Sequence, residues 1–184
     1  MDLVASVLLV SYVFGATKFK NGRKALYKLN YPKVVDDKLS TVLAERFLEV
    51  CSISKYDRFH VFGVANSGIH LASAVLRSVG GLDGGRNIFT ILDLNNNKYF
   101  FECVCSEEVT LLVDNAITSG KTIRAAFNVL NAHGHKPLKI IRYFDREELD
   151  DNGSYISDEL EKELGVEIVS LFSVRDLLRI IPED

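Results

Sequence analysis

An apolar run from Val109 to Val113 ends in Asp114-Asn115, then passes through Thr118-Ser119-Gly120-Lys121-Thr122 into a helical pattern. No other stretch restricts the possible folds so strongly. Val109, Leu111, Leu112 and Val113 make the near-continuous apolar strand of a parallel sheet covered on both faces. Asp114 falls at its carboxyl end, the edge at which open α/β sheets bind ligands. The following loop offers backbone N–H groups, hydroxyls and a helix amino terminus to an anion. A carboxylate beside such a cradle suits a ligand with both a phosphate and sugar hydroxyls. The loop is not of the Walker type, because Gly120-Lys121 lacks the earlier glycine at the required spacing. An ordinary strand-turn-helix unit with Ser or Thr at a helix N-cap is the plainer alternative. The ligand reading is favoured because acid, hydroxyls and glycine fall in register.

The same order of parts occurs upstream. Phe59–Val64 is a strand pattern, Ala65-Asn66-Ser67-Gly68 a loop, and 69–79 a helix. Two such loops at one sheet edge would hold two anionic groups of one ligand, with Gly68 permitting close backbone approach and Asn66 and Ser67 donating hydrogen bonds. Around them, 36–51 reads as an amphipathic helix and 88–94 and 99–105 as a hairpin turned at Asn95-Asn96-Asn97. A helix over 122–133 is stopped by Gly134 and Pro137, and a strand over 138–144 closes at Asp145-Arg146-Glu147-Glu148. A helix over Ile156–Leu164, a strand over 166–172 and a short helix over 174–180 complete the alternation. The class is therefore α/β, a mainly parallel sheet flanked by helices.

Composition limits the partners. The 184 residues suit a single domain, and 47% hydrophobic with 26% charged residues is the balance of a soluble globular chain. A formal net charge of -3 gives no general attraction to nucleic acid or anionic lipid, so any phosphate binding must be local. Cys51, Cys103 and Cys105 are an odd number without a metal-ligand spacing, and read as small apolar fillers in a reducing compartment. The apolar stretch over 3–14 lacks a basic leader and is too short for a membrane span, which predicts a buried helix in a cytoplasmic protein. The basic stretch after it, with Lys18, Lys20, Arg23, Lys24, Lys28 and a turn at Asn21-Gly22, reads as a functional element or a solvated hairpin.

Four segments together resemble the type I phosphoribosyltransferases, and among them the orotate phosphoribosyltransferases. FGATKFKNGR is similar to their basic N-terminal element, FGVANSGIHLA to their pyrophosphate loop, LLVDNAITSGKT to their phosphoribosyl pyrophosphate (PRPP) motif, and FDREE to their Asp-Arg-x-Glu segment. The resemblance implies that family's single-domain fold over 1–184, with residues 1–35 forming an N-terminal helix and a small hood. It implies a pentosyltransferase of pyrimidine nucleotide biosynthesis, moving ribose 5-phosphate from PRPP to a nitrogenous base with Mg2+ on the PRPP oxygens. By the same likeness, Asn115, Ala116, Ile117, Thr118, Ser119, Gly120, Lys121 and Thr122 would bind the sugar phosphate, with the 5-phosphate on Thr118 to Thr122. Asp114 would hold the ribose hydroxyls and meet the metal only through PRPP. Ala65, Asn66, Ser67 and Gly68 would take the pyrophosphate, Lys20 and Arg23 match the N-terminal cations, and Arg146 matches a residue that faces the base. An ion pair of Arg146 with Asp145 or Glu147 is the alternative for that side chain. Family members are often homodimers.

The chain also departs from the pattern. Asn115 stands where a second acid is usual, Ser67 where the orotate enzymes have a lysine, and the interval Asn95 to Lys98 where a long cationic mobile loop is expected. Lost cations at a departing pyrophosphate lower the rate steeply. A catalytically lapsed PRPP- or nucleotide-binding regulator of the same fold is therefore the second expectation, and an enzyme using these anion sites on another phosphorylated ligand the third.

Overall fold

The computed structural model describes residues 12–18, 24–29, 37–54, 58–64, 67–78, 88–94, 98–99, 109–147, 149 and 152–180. Tyr12–Lys18 (β1) and Lys24–Leu29 (β2) pair antiparallel as a separate two-stranded sheet. Asp37–Cys51 (α1), Phe59–Val64 (β3), Ser67–Ser78 (α2), Ile88–Asp93 (β4) and Lys98–Tyr99 (β5) follow. The second half contains Val109–Asp114 (β6), Lys121–Ala132 (α3), Lys139–Asp145 (β7), Ile156–Leu164 (α4), Glu167–Ser173 (β8) and Val174–Leu178 (α5).

The larger sheet has the order β5-β4-β3-β6-β7-β8, and its five long strands are parallel. A strand between two helix layers must be apolar throughout, and β3 is buried at every position, β6 at all but its first. Alternation splits the core. Phe59, Val61, Leu111 and Val113 pack with Leu43 and Phe47 of α1, Leu71 and Val75 of α2 and Leu177 of α5. Phe62, Val64 and Leu112 pack on the other face with Ile123, Phe127 and Leu130 of α3 and Leu160 of α4. Cys51 lies in the first of these clusters, where burial pushes its thiol up to about 12, as an apolar filler requires.

The strand order reverses between β3 and β6. Chain leaving β3 runs to β4 on one side, and chain leaving β6 runs to β7 on the other, with α2 and α3 on opposite faces. Such a switch point opens a crevice outside the carboxyl ends of its two strands. Near the amino ends, His60 is buried with its Nε2 2.8 Å from Thr90 Oγ1, and it stacks on Phe62 beside His135.

The helix over 3–14 does not reach its expected end, because Tyr12–Phe14 lie in β1, where they pair with Tyr27–Leu29. Backbone pairing in a hairpin overrides a short apolar run that length alone cannot assign. Other boundaries shift by a residue or two: α2 begins at Ser67 rather than 69, and α5 stops at Leu178. Most of the 99–105 strand, with Cys103 and Cys105, lies outside the described residues. Among those described, no helix is long and apolar enough to cross a membrane.

Candidate functional site

Two loops leave neighbouring strands at the switch point. Gly63 of β3 pairs in register with Val113 of β6, so the strands end level and their loops start side by side. The first turn of α2 is pressed onto β6: a Cβ on Gly68 would lie 2.3 Å from Val113 O and 3.3 Å from Asp114 Cα. Beneath it, a Cβ on Gly63 would lie 3.0 Å from Gly68 O. Only glycines let a helix amino terminus come so close to the strand end that carries the acid.

Asp114 keeps 8% of its surface exposed. It is thus more enclosed than a solvent-facing strand-end acid, and one of its oxygens accepts the N–H of Asn115 at 2.7 Å. Asn115 Oδ1 is buried without a hydrogen-bond partner among the described residues, while its backbone O accepts the N–H of Phe144 at 3.0 Å. Strand β7 is thereby tied to the loop, and Arg146 follows two residues after Phe144.

The 118–122 loop stays open. Thr118 is half-buried, Ser119, Lys121 and Thr122 are exposed, and Ile117 turns its side chain into the core, leaving only its backbone for a ligand. Gly120 caps α3 in the left-handed conformation, φ 70°, with no side chain satisfying the first-turn N–H groups. Two later helices differ. In α5, Ser173 and Asp176 form a capping box, and α4 carries Asp158 and Glu159 in its first turn. Acids there repel an anion, whereas the first turn of α3 contains none and leaves its positive end of the dipole available.

Of the residues singled out from sequence, the structure brings together Gly68, Asp114, Asn115, Ala116, Ile117, the loop Thr118 to Thr122, and the strand end before Arg146. Ser67 starts α2. Lys20, Arg23, Ala65 and Asn66 lie outside the described residues. Asp145 is engaged by Arg142 and Glu147 by Arg175. Sequence reading missed the braces of the site. Arg124 Nη1 donates to Ser119 O at 3.0 Å and its guanidinium pairs with Glu163 of α4 at 2.7 Å, fastening the loop to that helix. Gly63 carried a detectable signal, a glycine inside an apolar strand; the Arg124–Glu163 pair, 39 residues apart, carried none.

Among the described residues no group of three His, Cys, Asp or Glu side chains could hold a metal ion. Asp114, an oxygen donor at the strand end, has the hard-ligand chemistry that would face a Mg2+ carried on the phosphate and hydroxyl oxygens of a ligand.

No family model matches the chain. It is 25% identical over 179 residues to an orotate phosphoribosyltransferase of Xanthomonas oryzae, covering 93% of this chain and 81% of that protein. In fold it resembles the Mycobacterium tuberculosis orotate phosphoribosyltransferase solved in complex with PRPP, with a TM-score of 0.69, 17% identity, and coverage of 95% and 96%. It also resembles the adenine phosphoribosyltransferase of Leishmania donovani, with a TM-score of 0.67, 9% identity, and coverage of 94% and 80%. The chain has the type I phosphoribosyltransferase fold, and its sequence likeness lies with the orotate phosphoribosyltransferases of that family.

Proposed function

We propose that the chain transfers the ribose 5-phosphate unit of PRPP to a ring nitrogen of a base, with orotate as the leading acceptor. The bond from ribose C1 to the pyrophosphate oxygen breaks, a bond from C1 to nitrogen forms, and pyrophosphate leaves. The observation that carries this reading is the juxtaposition, at one switch point, of enclosed Asp114 with two helix amino termini. One is the uncapped start of α3; the other is α2, brought onto Asp114 by Gly68.

Each part has a physical task. The N–H groups and hydroxyls of the 118–122 loop bind the 5-phosphate, Asp114 accepts from the ribose hydroxyls, and the start of α2 faces the pyrophosphate. Holding the sugar at two ends fixes C1 for attack, and most of the catalysis such a site supplies is positioning and charge stabilisation. Mg2+, bound to the oxygens of PRPP, would neutralise charge on the leaving group. Arg146 lies at the same sheet edge, past the strand end joined to Asn115, where it would meet the base. The fold is shared with an adenine enzyme and leaves the acceptor base open.

The second reading, a binder that has lost catalysis, is favoured by one feature. Asp93 and Lys98 pair directly across β4 and β5, so the interval at which the resemblance places a long cationic loop spans only residues 94–97. Incubating the protein with PRPP, Mg2+ and a panel of bases, and following both pyrophosphate and nucleotide, separates the two. Nucleotide formation supports the transferase. Calorimetric binding of PRPP without turnover supports the binder, and absence of both sinks both.

A further inference from the structure

We infer that Arg142 and Arg175 are positioning residues for Arg146, an inference that rests on the proposed base-facing role of that residue. Asp145 closes an Asx-turn around Arg146, because its Oδ1 accepts the N–H of Glu147 at 2.8 Å. Its other oxygen accepts from Nη2 of Arg142, whose Nε donates to Ser170 Oγ at 2.7 Å. The Arg142 side chain is only 7% exposed, so the Asp145 carboxylate is the counter-charge that a buried guanidinium requires.

Glu147, the residue after Arg146, has φ 49°. A residue with a Cβ adopts this left-handed backbone only where its surroundings hold it, and such strain gathers at functional sites. Here the hold is visible. Arg175 of α5 donates from Nε to Glu147 Oε2 at 3.0 Å, and α5 is itself fixed by its capping box. The turn is therefore gripped from β7, β8 and α5, with Arg146 at its centre. The β7–β8 ladder already runs to Asp145 and Ser173, so the sheet does not need this network to close. Arg142, Asp145, Glu147 and Arg175 border a cavity of about 240 Å³, which marks the network as a polar brace and not part of the apolar core. Slackening the brace should disturb the step that depends on Arg146 and spare the PRPP loops on β3 and β6.

Arg175→Gln is the first variant, since that side chain is 71% exposed and folding does not rest on it. Arg142→Lys, which keeps the buried charge, is the second. Steady-state kinetics with Mg2+, PRPP and orotate are measured beside trypsin cleavage of the Arg146–Glu147 bond in folded protein, identified by mass. We expect the KM for orotate to rise about tenfold and that for PRPP to stay within about twofold. Cleavage should accelerate by about tenfold as the turn opens, and Arg175→Lys should restore both properties. In an Arg146→Gln background, Arg175→Gln should add nothing to the orotate KM. Equal rises in both KM values, or unchanged KM values with unchanged cleavage, overturn the inference. A wild-type chain without transferase activity refutes the proposed function instead. Cleavage then decides the positioning role alone: acceleration in Arg175→Gln supports it, and equal rates overturn it.

Discussion

Each of two site residues tolerates only its own side chain, and for different reasons. At Gly68 the obstacle is backbone: a Cβ 2.3 Å from Val113 O meets an atom that moves only if the strand moves. Gly68→Ala should therefore push α2 away from β6 and lower stability by about 1 to 3 kcal/mol, as overpacking does, read as a shifted urea midpoint. PRPP binding should fall with it, because the helix start and Asp114 separate; intact affinity in a destabilised variant would show that the close approach serves packing alone. At Asp114 the requirement is chemical. The carboxylate accepts the N–H of Asn115, and a carboxylate's two oxygens can take several donors, a sugar hydroxyl among them. Asp114→Ala and Thr122→Ala should each weaken PRPP binding by about 1 to 3 kcal/mol through lost hydrogen bonds. Calorimetry giving wild-type affinity for both would remove the sugar phosphate from this loop.

The strand β6, its loop and α3 act as one element whose shape depends on a neighbour. Gly120 has φ 70°, and a Cβ there would lie 2.7 Å from Leu160 Cδ1 of α4. Gly120→Ala combines left-handed strain with a clash, and should cost about 1 to 3 kcal/mol in stability. The loss should appear in thermal unfolding; an unchanged midpoint would mean that α4 gives way freely. This element also shows what the sequence could disclose. Its strand, acid, loop and helix start were legible because period, turn chemistry and helix-end signals act over a few residues. The β3–α2 repeat was legible for the same reason, and so was the α/β class. What was hidden is what depends on distant partners. The fastening of Ser119 through Arg124 to Glu163, the enclosure of Asp114 and the Arg142–Asp145–Glu147–Arg175 chain join segments that only the folded sheet brings together. The stretch over 3–14 misled because a short apolar run is compatible with both helix and strand, and pairing with β2 decided part of it.

Across the whole molecule, the parallel sheet separates chemistry from a different kind of sensitivity. Every long strand of it points its carboxyl end toward the candidate site, which leaves the amino ends to structure. There, burial, with a smaller contribution from nearby His135, lowers the pKa of His60 to about 4, and burial likewise lowers that of His135. The sign follows from linkage. The folded state keeps His60 neutral while the unfolded chain takes up a proton below about pH 6.5, so the stabilisation is complete above that pH and is lost as pH falls toward 4. His60 alone should then cost about 2 kcal/mol of stability between pH 7.5 and 4.5. Carboxylates titrate in part of the same interval, so the measurement must be differential. His60→Gln keeps a polar group for Thr90 but does not titrate, and urea unfolding at the two pH values should show a smaller acid loss in the variant by that amount. Equal losses in both proteins would mean that His60 is protonated without unfolding. Because this pair lies at the edge opposite Asp114, PRPP affinity of the folded protein should be the same in wild type and His60→Gln at pH 7.5, where the histidine is neutral.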